Sequence, residues 1–80
     1  MSNAQKIAAG QQAEIERGQI KEAVDTVKTT LLEKIGSSEP NEIEEREQYY
    51  YEYRALESVM NRLQSVIDSG KVAAKYYNKG

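Results

Sequence analysis

Tyr49-Tyr50-Tyr51-Glu52-Tyr53-Arg54-Ala55-Leu56 opens the stretch that decides the fold, which continues through Met60, Leu63 and Ile67 to Asp68-Ser69-Gly70. Tyr49, Tyr53, Leu56, Met60, Leu63 and Ile67 follow one another at steps of four, three, four, three and four. That alternation marks one face of an α-helix, and over nearly three heptads it reads as a coiled-coil-like seam. Val59 and Val66 widen the face on one side. Asp68-Ser69 are poor helix-interior residues, and Gly70 supplies a stop. The spacing therefore predicts a helix over residues 42–69, roughly 40 Å long at 1.5 Å per residue.

Working outward, the strongest break in the chain precedes this helix. Gly36-Ser37-Ser38-Glu39-Pro40-Asn41 has the chemistry of a helix stop, a turn over residues 36–41 and a helix start. Gly36 suits a left-handed residue after a helix, with Lys34 placed to complement the dipole. Pro40 disfavours helix at Glu39, and Asn41 or Ser38 is suited to cap the second helix. Upstream, Ile20, Val24, Val27, Leu31 and Ile35 lie on one helical face and mark a first helix over residues 19–35. The same face meets Glu16, Ala13 and Ala9 further back, and Gly10 and Gly18 each lower helix propensity. Residues 1–18 are therefore expected to be helical only where something packs on them. Residues 70–80 read as a short tail helix or a frayed basic end. In the helical case Val72, Ala73 and Tyr76 are placed to fold back on the hairpin. The short connection makes the two long helices antiparallel neighbours, so the fold class is all-α, a long helical hairpin. One apolar stripe per helix is little burial for an 80-residue chain. A homo-oligomer is therefore expected, most simply a dimer forming a four-helix bundle.

Composition narrows the chemistry. The chain has no cysteine and no histidine, which removes thiolate sites, disulfides and the commonest general base and metal ligand. No apolar run approaches the roughly 20 residues that span a bilayer. The start lacks the apolar core of a secretory signal, and Met1 directly before Ser2-Asn3-Ala4 reads as a native start rather than a cloning scar. Net charge is −2, with both signs interspersed, which argues against a mainly electrostatic nucleic-acid binder. The charge is uneven, however. Residues 37–68 set eight acidic side chains against Arg46, Arg54 and Arg62, whereas Lys71, Lys75 and Lys79 make the tail the only basic cluster.

The tyrosines divide by helical phase. Tyr49 and Tyr53 point into the seam. Tyr50 lies on the flank, four residues before Arg54, where ring and guanidinium are placed to stack. Tyr51 faces outward and is the best single candidate for a partner contact. Ile15 and Leu32 lie off the main face of the first helix, as does Ile7. They are either incidental surface residues or part of a second contact surface. Glu42, Glu44, Glu45 and Glu47 fan around a helix start and do not converge on an ion. A solvated first turn with a Glu42–Arg46 pair accounts for them. No phosphate-binding loop, nucleophile elbow or DNA-reading helix-turn-helix is present, so neither a cofactor nor a catalytic residue is assigned.

The order of features resembles a group of small helical proteins encoded in tailed-bacteriophage and prophage genomes near packaging or head genes. The residues that carry the likeness are Ala23, Val24, Val27, Leu31 and Leu32, then Glu47, Tyr50, Arg54, Ala55 and Leu56. The ending Leu63-Gln64-Ser65-Val66-Ile67-Asp68-Ser69-Gly70-Lys71 completes it. The resemblance covers about residues 20–74 and implies a phage protein made in the host bacterial cytoplasm, with incorporation in the virion open. It supplies no catalytic residue. It implies nothing about the molecular task, and two functions of different class are expected from the residues, from the surplus of apolar and aromatic side chains and from the acidic second helix. The first is a non-enzymatic structural or assembly protein that docks on a larger phage protein by helix packing, through Tyr51, Tyr50, Arg54, Ile15 and Leu32. The second is a small regulator or counter-defence protein whose acidic helix binds a host protein, or which binds a nucleotide ligand.

Overall fold

The computed structural model describes residues 2–79, which form two antiparallel α-helices, α1 (Asn3–Gly36) and α2 (Ile43–Lys79). Met1 and Gly80, the outer ends of the expected first segment and tail, lie outside the described residues, as do the side chains of Asn78 and Lys79. The hairpin is a rod with extents of 61 × 19 × 14 Å.

α1 starts sixteen residues earlier than the apolar periodicity alone marks it. A capping box fixes the start: Gln5 N–H donates to Ser2 Oγ at 3.1 Å, and Ser2 N–H donates to Gln5 Oε1 at 2.9 Å. Behind the cap, residues 3–18 are laid against the C-terminal half of α2, with Gly10 and Ala13 buried in the contact and Gly18 left exposed.

The turn is closed differently from the sequence expectation. Gly36 is the last helical residue, and no described glycine has positive φ. The end of α1 is instead satisfied by Ser37 N–H to the Glu33 carbonyl at 2.9 Å and by Ser38 Oγ to the Ile35 carbonyl at 2.7 Å. Ser38 thus serves the helix behind it. The start of α2 falls to Glu42, whose carbonyl accepts from Arg46 N–H at 3.1 Å and whose Oε1 accepts from Glu39 N–H at 2.9 Å. Arg46 does not pair with Glu42. Its guanidinium donates to Ser38 Oγ at 3.0 Å, the Glu39 carbonyl at 2.7 Å and the Pro40 carbonyl at 3.4 Å, binding the turn to the helix.

Gly70 does not stop α2, which continues through it to Lys79 in one unbroken helix. Gly70 is buried, not exposed at an end, because α1 crosses it there. A Cβ on Gly70 would meet Gly10 Cα and the Lys6 carbonyl, both at 2.9 Å, and a Cβ on Gly10 would meet Gly70 Cα at 2.9 Å. Two glycines in register let the backbones touch. The tail therefore adds two turns to the seam, with Ala73 buried, while Val72 and Tyr76 stay exposed.

Between the helices lies a thin seam. Leu31, Met60, Ile67, Ala13 and Ala73 are buried, and Tyr49, Tyr53, Leu56, Leu63, Ile20, Val24, Ile35 and Ile7 are half-buried. Among the described residues no side chain is fully enclosed. Val27, expected on the inner face, is 48% exposed. The helix turns Lys28 inward in its place. The Lys28 ammonium lies 4.9 Å from the centre of the Tyr53 ring and 3.9 Å from a Glu57 carboxylate oxygen. Further back, the seam takes Arg17, not Glu16, and buries its Nε without a partner. The stem of a long basic side chain covers apolar surface while its charge reaches water, so hydropathy alone misplaces both residues.

Candidate functional site

Helical phase and the cross-helix contacts give the rod two unlike flanks. One is polar. Lys28 reaches Glu57 across the seam, Arg54 Nη1 donates to Glu57 Oε1 at 3.3 Å, and Gln64 Nε2 donates to Asp68 Oδ1 at 2.9 Å. Lys21 Nζ sits 2.8 Å from Asp25 on the same side of α1. That hydrogen bond holds the Asp25 carboxyl below its ordinary value of 3.8. A lowered folded value makes the contribution present at neutral pH and lost as pH falls through it. The group is fully exposed, so its effect on stability is small.

Near the turn, this polar flank carries most of the residues that sequence reading assigns to a partner. Tyr50, Arg54 and Glu57 are spaced to share one side of α2, and Leu32 follows Lys28 by one turn on the side of α1 that faces Glu57. Leu32, Tyr50 and Arg54 therefore stand together. Leu32 and Tyr50 are 52% and 53% exposed. Arg54 does not stack on Tyr50, because Glu57 holds its guanidinium. The Tyr50 ring instead tilts against Tyr51, with centroids 6.2 Å apart and planes at 58°. Tyr51 thereby extends the cluster around the outer edge of α2. Ile15, also exposed, lies on the far edge of α1 and away from this group. The ammonium of Lys34 is 5.3 Å from the centre of the Tyr49 ring, so both seam tyrosines carry a lysine over their faces.

The opposite flank is apolar. A groove between the helices is lined by Val27, Leu31, Ala55, Leu56 and Val59, with Glu52 at its edge. Further from the turn, a second groove runs over Ala9, Ser65, Val66 and Ser69, edged by Lys6 and Arg62. Val59 is 50% exposed, as open as Val27 across the groove. Sequence reading treats Val59 and Val66 as a widening of the seam and assigns this flank no site. The available signal was the α2 stripe Glu52, Ala55, Val59, Arg62, Val66, which keeps its own three-four spacing beside the main one.

Among the described residues no group of three or more acidic side chains is placed to hold a metal ion, and no helix is long and apolar enough to cross a membrane. No family model matches this chain, and no curated protein or solved structure matches it either.

Proposed function

We propose that this chain is a non-enzymatic, phage-encoded interaction protein, a component of the virion or of its assembly, which acts by packing helical surface against a larger phage protein. The observation that carries this reading is the balance of apolar surface. Eleven large hydrophobic side chains are exposed among the described residues, whereas Leu31, Met60 and Ile67 are the only large ones buried. Single exposed apolar residues are ordinary, but contiguous ones mark contact surfaces. The cluster of Leu32, Tyr50 and Tyr51, with Arg54 beside it, suits a protein partner because aromatic and arginine side chains anchor interfaces. The phage setting comes from the sequence resemblance, as does manufacture in the host cytoplasm.

The test is co-sedimentation. Particles and head precursors from cells that express the tagged chain are separated on a density gradient and probed for it. The chain should travel with one of these fractions, and Tyr51→Ala combined with Leu32→Ala should reduce its share at least severalfold. A chain found only at the top of the gradient would sink the assembly role.

A second reading rests on the acidic start of α2, where Glu44, Glu45, Glu47 and Glu52 are all exposed. That face suits a regulator that covers a basic surface of a host protein. Affinity capture from host lysate should then return one stoichiometric soluble partner, with binding that weakens steeply as salt rises.

A further inference from the structure

We propose that two copies of this chain pair end for end through the apolar flank, with α1 against α1 and α2 against α2 of the partner, to make an antiparallel four-helix bundle. The flank asks for an apolar occupant, since both of its grooves run over Val, Leu, Ala and Ser side chains. The middle of the opposite flank is occupied by its own ion pairs and hydrogen bonds, and its exposed Leu32 and Tyr50 lie only near the turn. A second copy fits because the charges on the apolar flank complement themselves about one level of the rod.

Contacts across the hairpin fix that level. Gly10 meets Gly70, Lys28 lies over Tyr53 and Lys34 over Tyr49. Asp25 of α1 and Glu57 of α2 therefore stand at the same height. A two-fold axis lying in the flank at that height, perpendicular to the rod, exchanges positions equidistant from these two residues. On α2 it sets Ala55 against the second copy's Val59, and Glu52 against its Arg62. On α1 it sets Ala23 against Val27, and Glu16 against Lys34. One axis satisfies both helices, and it brings small residues opposite larger ones at the centre and opposite charges together outside them. Pairing with both turns at the same pole leaves each of these charges about one helical turn from an opposite charge. The axis lies about fourteen residues from the turn, so the two rods overlap over about 42 Å at 1.5 Å per residue, and with the 19 Å breadth of the rod the shared face is about 800 Å², the size of one side of a stable interface.

This inference rests on the reading of the chain as a helix-packing protein, and it fails separately from it. Light scattering should give twice the 9.1 kDa chain mass. The chain lacks cysteine, so Ser37→Cys carries a single spin label near the turn. End-for-end pairing puts the two labels about 36 Å apart along the rod, twelve residues either side of the axis at 1.5 Å per residue. Glu52→Arg should weaken pairing at least about tenfold by setting like charges together twice per dimer, and Glu52→Arg with Arg62→Glu should restore it. Val59→Glu should give a monomer that keeps its helix signal. If that variant also unfolds, because hairpin and pairing form together, the charge-swapped pair still decides. A wild-type monomer at all concentrations, labels within about 20 Å, or a dimer indifferent to the charge reversals would each overturn the proposal. A monomer that still co-sediments with particles overturns the pairing and leaves the assembly role standing.

Discussion

Gly10 and Gly70 meet backbone to backbone across the seam, and their surroundings are opposite to those of Gly18. Nothing lies within 4 Å of a Cβ built on Gly18. Gly18→Ala should therefore stabilise the fold by about 0.5–1 kcal/mol through helix propensity alone. Gly70→Ala gains the same propensity but drives a methyl into the Gly10 and Lys6 backbones, which cannot rotate away. It should cost about 1–3 kcal/mol net. Urea denaturation of the two variants checks this, and equal shifts of one sign would show that the crossing is looser than it looks. Arg17 gives a second prediction at this scale. Its Nε is buried without a partner, so Arg17→Met keeps the covering stem and removes the unsatisfied donor. The variant should raise stability by about 1 kcal/mol, read from the urea midpoint.

The turn is an element in which one side chain, Arg46, ties three residues to the helix that follows. Arg46 reaches an oxygen on each of Ser38, Glu39 and Pro40 across a loop of six residues. Charge-assisted bonds of this kind are worth about 1.5–3 kcal/mol, so Arg46→Ala should destabilise the hairpin by about that amount. Arg46→Lys should recover less than half, because a point ammonium cannot fork across several acceptors. Thermal melts of both variants test the claim. The cross-helix Lys28–Glu57 pair is weaker, at 3.9 Å and partly exposed, and Glu57→Gln should change stability by less than about 1 kcal/mol. α1 and α2 also differ in how clearly their sequences announce them. α2 keeps a three-four apolar stripe from Tyr49 to Ile67 and is plain in the sequence. The first half of α1 presents Gly10, Ala13 and Arg17 to the seam, which no apolar period marks. Its capping box, Ser2 to Gln5, is a local signal for its start that the apolar period does not carry.

At the scale of the whole molecule, the rod has much length and little interior. Five hydrophobic residues are buried among the described ones, none of them completely. With so thin a seam, pairing should add stability to the hairpin. If pairing through the Val27–Val59 flank completes the core, the melting temperature should rise with protein concentration. A melting temperature independent of concentration over a hundredfold range would mean that the hairpin stands alone. Leu32 and Tyr50 lie on the opposite flank, so Leu32→Ala with Tyr50→Ala should leave the solution mass unchanged while weakening capture of a partner.

The hairpin itself was legible in the residues: the stripe from Tyr49 to Ile67, the Gly36–Asn41 break and the stripe from Ile20 to Ile35 specify two antiparallel helices by spacing and turn chemistry alone. The division of the tyrosines into seam and surface was legible too, since helical phase depends only on residue number. Only the tertiary structure decided where each face ends and what a glycine or a lysine means within it. Gly70 reads as a stop until α1 is laid across it and makes it a contact point. Lys28 displaces Val27 from the seam because the partner helix offers a tyrosine ring and a carboxylate at that height. Such choices depend on which residue stands opposite, and the register between two helices is fixed by their packing, not by either sequence stripe taken alone.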